Sequence, residues 1–171
     1  MIQALKSRER DPKRDICRWN SFTESLPSVL VDGFEPTPAN PVVFHLHGHT
    51  EEPSSMVLTE DDYLDFLVNI SSNHSILPHQ IQKALAGSSL VFLGYSLQDW
   101  NFRVIFRGLV TSKESSLRRI SIAVQLEPEQ KDMQQYLDKY FNEQKIHVYW
   151  GVARDFAAEL RQRWEDFSNE S

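Results

Sequence analysis

The chain has 171 residues, of which 40% are hydrophobic and 25% charged, and a net charge of -6. This is the composition of one ordinary globular domain, which at this size buries about 70% of the surface its unfolded form exposes. The acidic balance speaks against a nucleic-acid surface spread over the domain, and the single cysteine, Cys17, excludes an internal disulfide or a CxxC zinc pair.

No apolar run approaches the ~20 residues of a membrane span, and no signal-peptide pattern opens the chain, so the expected compartment is the cytoplasm. Residues 1–41 show no sustained period and carry Pro12, Pro27, Pro36, Pro38 and Pro41. They read as an irregular N-terminal segment, with short strands around Asp15–Trp19 and Ser28–Val31. From Val42 the pattern alternates. A strand over 42–47 precedes a helix from about Thr59 to Ser71, with Thr59 and Asp62 as a capping pair and Tyr63, Leu64, Phe66, Leu67 and Ile70 as its apolar face. A second helix follows Pro78 and ends near Gly87. Strand 89–93 leads into a helix over about 97–110, capped by Ser96 and Asp99. Strand 119–125, a helix opened by Pro128, strand 146–150 and a last helix carrying Phe156, Leu160 and Trp164 complete the pattern.

Strands separated by helices predict an α/β fold, a three-layer, doubly wound and mainly parallel sheet, with 42–171 as its domain. The strands are apolar runs, as buried parallel strands are. Such a fold normally opens with a strand and a glycine-rich phosphate turn, yet the six glycines form no GxGxxG cluster. The chain starts on what reads as the tail of a helix. The expectation is therefore the later portion of a larger Rossmann-like domain whose N-terminal βα part is missing.

His47 is the leading candidate for chemistry. The run Val42 to Gly48 ends in a His-Gly step at the carboxyl end of a strand, where open α/β sheets bind ligands. Histidine also exchanges protons most readily near neutral pH. Strand 89–93 ends in Gly94-Tyr95-Ser96-Leu97, punctuation at the same end, which predicts one cleft. Competing readings exist for each. His45, His47 and His49 at alternate positions share one strand face and would suit a transition metal, unless Gly48 breaks the strand first. The Gly94–Ser96 turn is also ordinary capping chemistry. Arg103 and Arg107 lie on one helical face, as phosphate ligands, as contacts to a neighbouring subunit or as solvated charge.

Three segments, His45-Leu46-His47-Gly48, Leu58-Thr59-Glu60-Asp61-Asp62-Tyr63 and Phe92 through Arg103, together resemble the sirtuin-like NAD-consuming domains of bacterial antiviral defence proteins. The resemblance runs from roughly Asp15 to Arg163. It implies that His47 is the catalytic histidine and that Gly94 and Ser96 line the nicotinamide-ribose and phosphate side of NAD. By the same resemblance Gln125 meets the adenosine ribose, Gly151 and Val152 border the adenine, and Gly48 and Tyr95 join the NAD-binding set. NAD would be substrate rather than resident cofactor, with no metal.

The chain departs from that family in two ways. The glycine-rich NAD loop and the Thr-Asn-Tyr-Asp-like segment with its catalytic asparagine should lie upstream of Met1. The zinc-binding cysteines of sirtuin deacetylases are absent, which speaks against deacetylation. The implied reaction is cleavage of the nicotinamide–ribose bond through an oxocarbenium-like transition state. General acid–base groups supply only about 10²–10⁴-fold, so a chain without the cofactor loop is expected to be inactive alone. The alternative is a non-enzymatic remnant that serves as a binding or oligomerisation module. Expected partners are NAD, an upstream chain or effector domain, and further copies of the chain, with neither nucleic acid nor membrane bound directly.

Overall fold

The computed structural model describes residues 1–95 and 119–170. They fall into two compact units, Met1–Lys83 and the part from Ala84 onward. In the first, helix α1 (Ile2–Lys6) is followed by strands β1 (Lys13–Ile16) and β2 (Val42–His45), which pair in parallel with Asp15 opposite Phe44 and Ile16 opposite His45. Helix α2 (Glu60–Ser72) follows, and then α3 (His79–Gly87), within which the first unit ends. In the second, β3 (Val91–Leu93), β4 (Ser121–Gln125) and β5 (Ile146–Trp150) form a parallel sheet in that order, with α4 (Lys131–Asn142) and α5 (Ala153–Glu170) as its described helices. Every pairing between these strands is parallel, as the apolar runs predict, so the molecule is α/β with flanking helices.

Several elements form where local chemistry dictates. Thr59 Oγ1 accepts from the Asp62 N–H at 3.0 Å while the Asp62 carboxylate accepts from the Thr59 N–H at 2.9 Å. This reciprocal box satisfies donors that the first helical turn leaves orphaned. On α4, Leu137 and Phe141 recur four residues apart and are buried with Ala123 and Ile146. Trp150 joins them by donating from Nε1 to Asp138 at 3.0 Å.

The first unit packs around Cys17, Trp19, Leu30, Phe66, Ile70 and Leu77, all buried. Cys17 continues β1 by donating its N–H to the His45 carbonyl at 3.0 Å, and burial pushes its thiol up to about 12. Asp15 is buried on the opposite face of β1 from Arg14. Its carboxylate accepts from the Ser28 hydroxyl (2.6 Å), the Ile16 N–H (2.8 Å) and the Leu30 N–H (3.3 Å), and pairs with Arg18 at 2.8 Å.

Some boundaries differ from expectation. The first strand lies at 13–16 rather than 15–19, because pairing with β2 decides it. Residues 28–31 form no strand; they turn around the Asp15 carboxylate. Strand 42–47 stops at His45. The α4 helix begins at Lys131, since Gln130 is still extended (φ -101°, ψ 120°), and Pro128 precedes it. On α5 Phe156 is buried, but Leu160 and Trp164 are exposed. The helix expected over 97–110, with Ser96, Asp99, Arg103 and Arg107, lies outside the described residues. Among the described residues no helix is long and apolar enough to cross a membrane.

Candidate functional site

His47 lies just beyond β2, in a turn that its successor controls. Gly48 has φ +82°, and a Cβ there would sit 2.2 Å from the Ser55 carbonyl oxygen, so only glycine fits. The turn returns the chain to hydrogen-bond Val57 N–H to the His47 carbonyl at 3.2 Å. Ser55 is fully buried, and its Oγ accepts the His49 N–H at 3.0 Å while donating to the Glu52 carbonyl at 2.6 Å.

The half-buried His47 ring meets Phe66 edge-on at 4.9 Å between centroids and Tyr63 at 6.0 Å. Burial holds its pKa below the ordinary histidine range, so the ring is neutral at neutral pH. Its Nε2 is buried and has no hydrogen-bond partner among the described residues. A neutral imidazole of this kind is what a proton acceptor requires. The three alternate histidines do not act as one face. His45 and His49 meet each other, with ring centroids 4.7 Å apart, while His47 packs on Phe66 and Tyr63. Among the described residues no three His, Cys, Asp or Glu side chains are grouped to hold a metal ion.

In the second unit, parallel pairing brings the carboxyl ends of β3, β4 and β5 to one edge of the sheet. A cavity of about 350 Å³ opens there, lined by Gly94, Tyr95, Gln125, Leu126, Pro128 and Trp150 among others. That is the low end of the range for small-molecule sites. Gly94 turns the chain out of β3 with φ +77°. The Gln125 amide nitrogen donates to the Tyr95 carbonyl and, at 2.8 Å, to the Val124 carbonyl. Gly151 N–H in turn donates to the Gln125 carbonyl at 2.7 Å. Gly94, Tyr95 and Gln125 are therefore gathered on one cavity with Gly151 bonded beside it. Val152 is exposed and does not line it. Ser96 lies outside the described residues.

The SIR2-like domain family model matches residues 1–149. The chain belongs to the SIR2-like family. SIR2-like domains use NAD, so the coarse functional reading is NAD-related. No curated protein matches the chain. This SIR2-like chain also has features that sequence reasoning missed. A cavity of its first unit, about 870 Å³, is lined by Trp19, Asn20, Met56, Asp62 and Asn69 among others, and not by His47. The Asp15–Arg18 pair was equally hidden, because only the β1–β2 pairing shows that Asp15 faces inward.

Proposed function

We propose that this SIR2-like chain is the histidine-bearing part of an NAD glycohydrolase that works in the cytoplasm in antiviral defence. The observation that supports it best is the His47-Gly48 turn at the exit of a parallel strand, within a SIR2-like match. In this reading neutral His47 accepts a proton from a ribose hydroxyl or orders the attacking water as the nicotinamide–ribose bond breaks. Gly48, Gly94, Tyr95, Ser96, Gln125, Gly151 and Val152 serve in NAD binding. A ribose approaching Gln125 has to share or displace the amide's bonds to the backbone. The phosphate-binding glycine loop and the asparagine that positions the nucleophile come from polypeptide other than this sequence. NAD is substrate, and no metal takes part.

The test measures NAD binding by calorimetry and nicotinamide release by chromatography. One sample is the chain alone; the other is the chain fused to a segment supplying the glycine loop and the asparagine. The expected result is release by the fused form only, lost on His47→Ala. Equal release by the His47→Ala form overturns the catalytic assignment, and loss of activity to a chelator returns the metal reading.

The second reading, a non-enzymatic binding or oligomerisation module, is favoured by the missing glycine-rich cluster and by the exposed Leu160 and Trp164 of α5. Failure of the fused form to bind NAD supports it.

A further inference from the structure

Arg14, His45, His49 and Glu51 form a cluster that the chemistry assigned to His47 leaves unused. Arg14 and Ile16 alternate along β1, and Ile16 pairs with His45, so Arg14 and His45 stand on one face of the two-stranded sheet. The His45 and His49 rings meet edge-on at 4.7 Å. Arg14 Nη1 lies 3.4 Å from His49 Nδ1 and is ion-paired with the Glu51 carboxylate. The Glu51 N–H donates to the same His49 Nδ1 at 3.1 Å, which puts the proton of the neutral ring on Nε2.

Two polar atoms in this cluster are buried with no hydrogen-bond partner among the described residues: Arg14 Nε and His45 Nε2. Arginine Nε always carries a proton, and His45 Nε2 is a donor whenever that ring is charged. Buried donors without acceptors are rare in folded proteins. Arg14 Nε calls for an acceptor oxygen, and His45 Nε2 calls for the same once its ring takes up a proton. Among the described residues, Glu51 is the carboxylate that Arg14 meets. Its side chain is 71% exposed and sits on the loop after the His47-Gly48 turn, so it can leave without disturbing a core.

We propose that Arg14 and His45 form an oxyanion-binding site in which the Glu51 carboxylate is a resident stand-in, displaced by the phosphate or carboxylate of a ligand. The planar arginine fork suits such a group. Burial most of all, and then His49 from the turn, Arg14 from β1 and the amino terminus, lower the His45 pKa below its ordinary value. A bound anion reverses that balance, so proton uptake at His45 accompanies binding. Affinity rises as the pH falls. This proposal is independent of the assignment of His47.

The test uses the full chain with isotopically labelled histidines, titrated with inorganic phosphate, AMP and acetate at about pH 6 and about pH 8. The expected result is movement of the His45 and His49 ring signals with at least one anion, more strongly at the lower pH. Glu51→Gln should tighten binding about two- to fivefold, the scale of an exposed ion pair. Arg14→Gln should abolish it, and His45→Gln gives the same readout if the arginine variant fails to fold. A response to inorganic phosphate identifies a free anion as sufficient. A response to AMP alone identifies a phosphate monoester, and one to acetate alone a carboxylate. The proposal is overturned if none of the three moves the rings in the Glu51→Gln form at millimolar concentration. It is also overturned if binding persists in both the Arg14→Gln and His45→Gln forms.

Discussion

The Trp19 indole donates a 2.8 Å hydrogen bond to the backbone carbonyl of Ser55, and that same carbonyl oxygen is what leaves no room for a side chain at Gly48. The end of β1 and the turn that carries His47 are thereby fastened at one buried atom. Asn69 on α2 adds a second tie, donating from its amide to the Trp19 carbonyl at 3.0 Å. The position of His47 thus depends on contacts made by residues distant from it in sequence.

Gly48→Ala is the direct probe of this fastening. The substitution combines a left-handed backbone with a 2.2 Å overlap on backbone atoms, and should cost on the order of 3 kcal/mol. Gly94→Ala serves as its control. Gly94 has φ +77°, yet nothing among the described residues lies within 4 Å of an added Cβ, so its cost should be about 1 kcal/mol. Urea unfolding of the two variants checks the difference, and equal losses would refute the account of the turn.

Asp15→Ala should be severe. It removes the acceptor of three hydrogen bonds and the carboxylate partner of Arg18, whose side chain is only 14% exposed. Breaking a buried pair on one side costs about 3–5 kcal/mol. Glu51→Ala, which breaks the exposed pair with Arg14, should leave the urea midpoint unchanged.

Acidification should weaken the fold through His45 and His47. Both have pKa values lowered by burial from an ordinary 6.5. The unfolded chain therefore binds more protons than the folded one below that value. The stabilisation is complete above about pH 6.5 and is lost as the pH falls toward the folded-state values. The carboxylates with lowered values, Asp11, Glu51 and Asp62, titrate in a more acidic window. A stability profile from pH 8 to pH 5 should therefore slope less in a His45→Gln, His47→Gln double variant; an unchanged slope assigns the titration elsewhere.

Thr59→Ala should cost about 1 kcal/mol by opening the capping box of α2. The same variant should move the Asp62 carboxyl only slightly toward its ordinary value, since the backbone N–H groups of Thr59 and Leu58, which lower it most, survive the substitution and only the weaker side-chain contribution is lost. Calorimetric melting and carboxyl NMR check the two halves separately.

Local signals were legible in the sequence, and pairwise ones were not. Thr59 and Asp62 announce the start of α2 because the box needs residues only three apart. The strand at 146–150 is a plain apolar run, and it forms as read. Gly94, Tyr95 and Gln125 share a cavity because strand ends in a parallel sheet come to one edge, a consequence of topology that alternation already implies. By contrast, Lys13-Arg14-Asp15 has little strand propensity of its own and is extended because β2 lies beside it. Val29-Leu30-Val31 looks like a strand, yet it is a turn with Leu30 buried and Val31 exposed. The regular spacing of His45, His47 and His49 hides three different surroundings, which one glycine separates. Arg14 and Glu51 meet only through the fold, so nothing in their spacing foretells the pair.

Cys17 gives the first unit a built-in reporter. It is the chain's one thiol, it is wholly enclosed, and its N–H is bonded to the His45 carbonyl. A thiol reagent added to the native protein has nothing to react with until that strand end parts from its neighbour. The labelling rate of Cys17 is therefore a clock for opening next to the histidine turn, readable without introducing a probe.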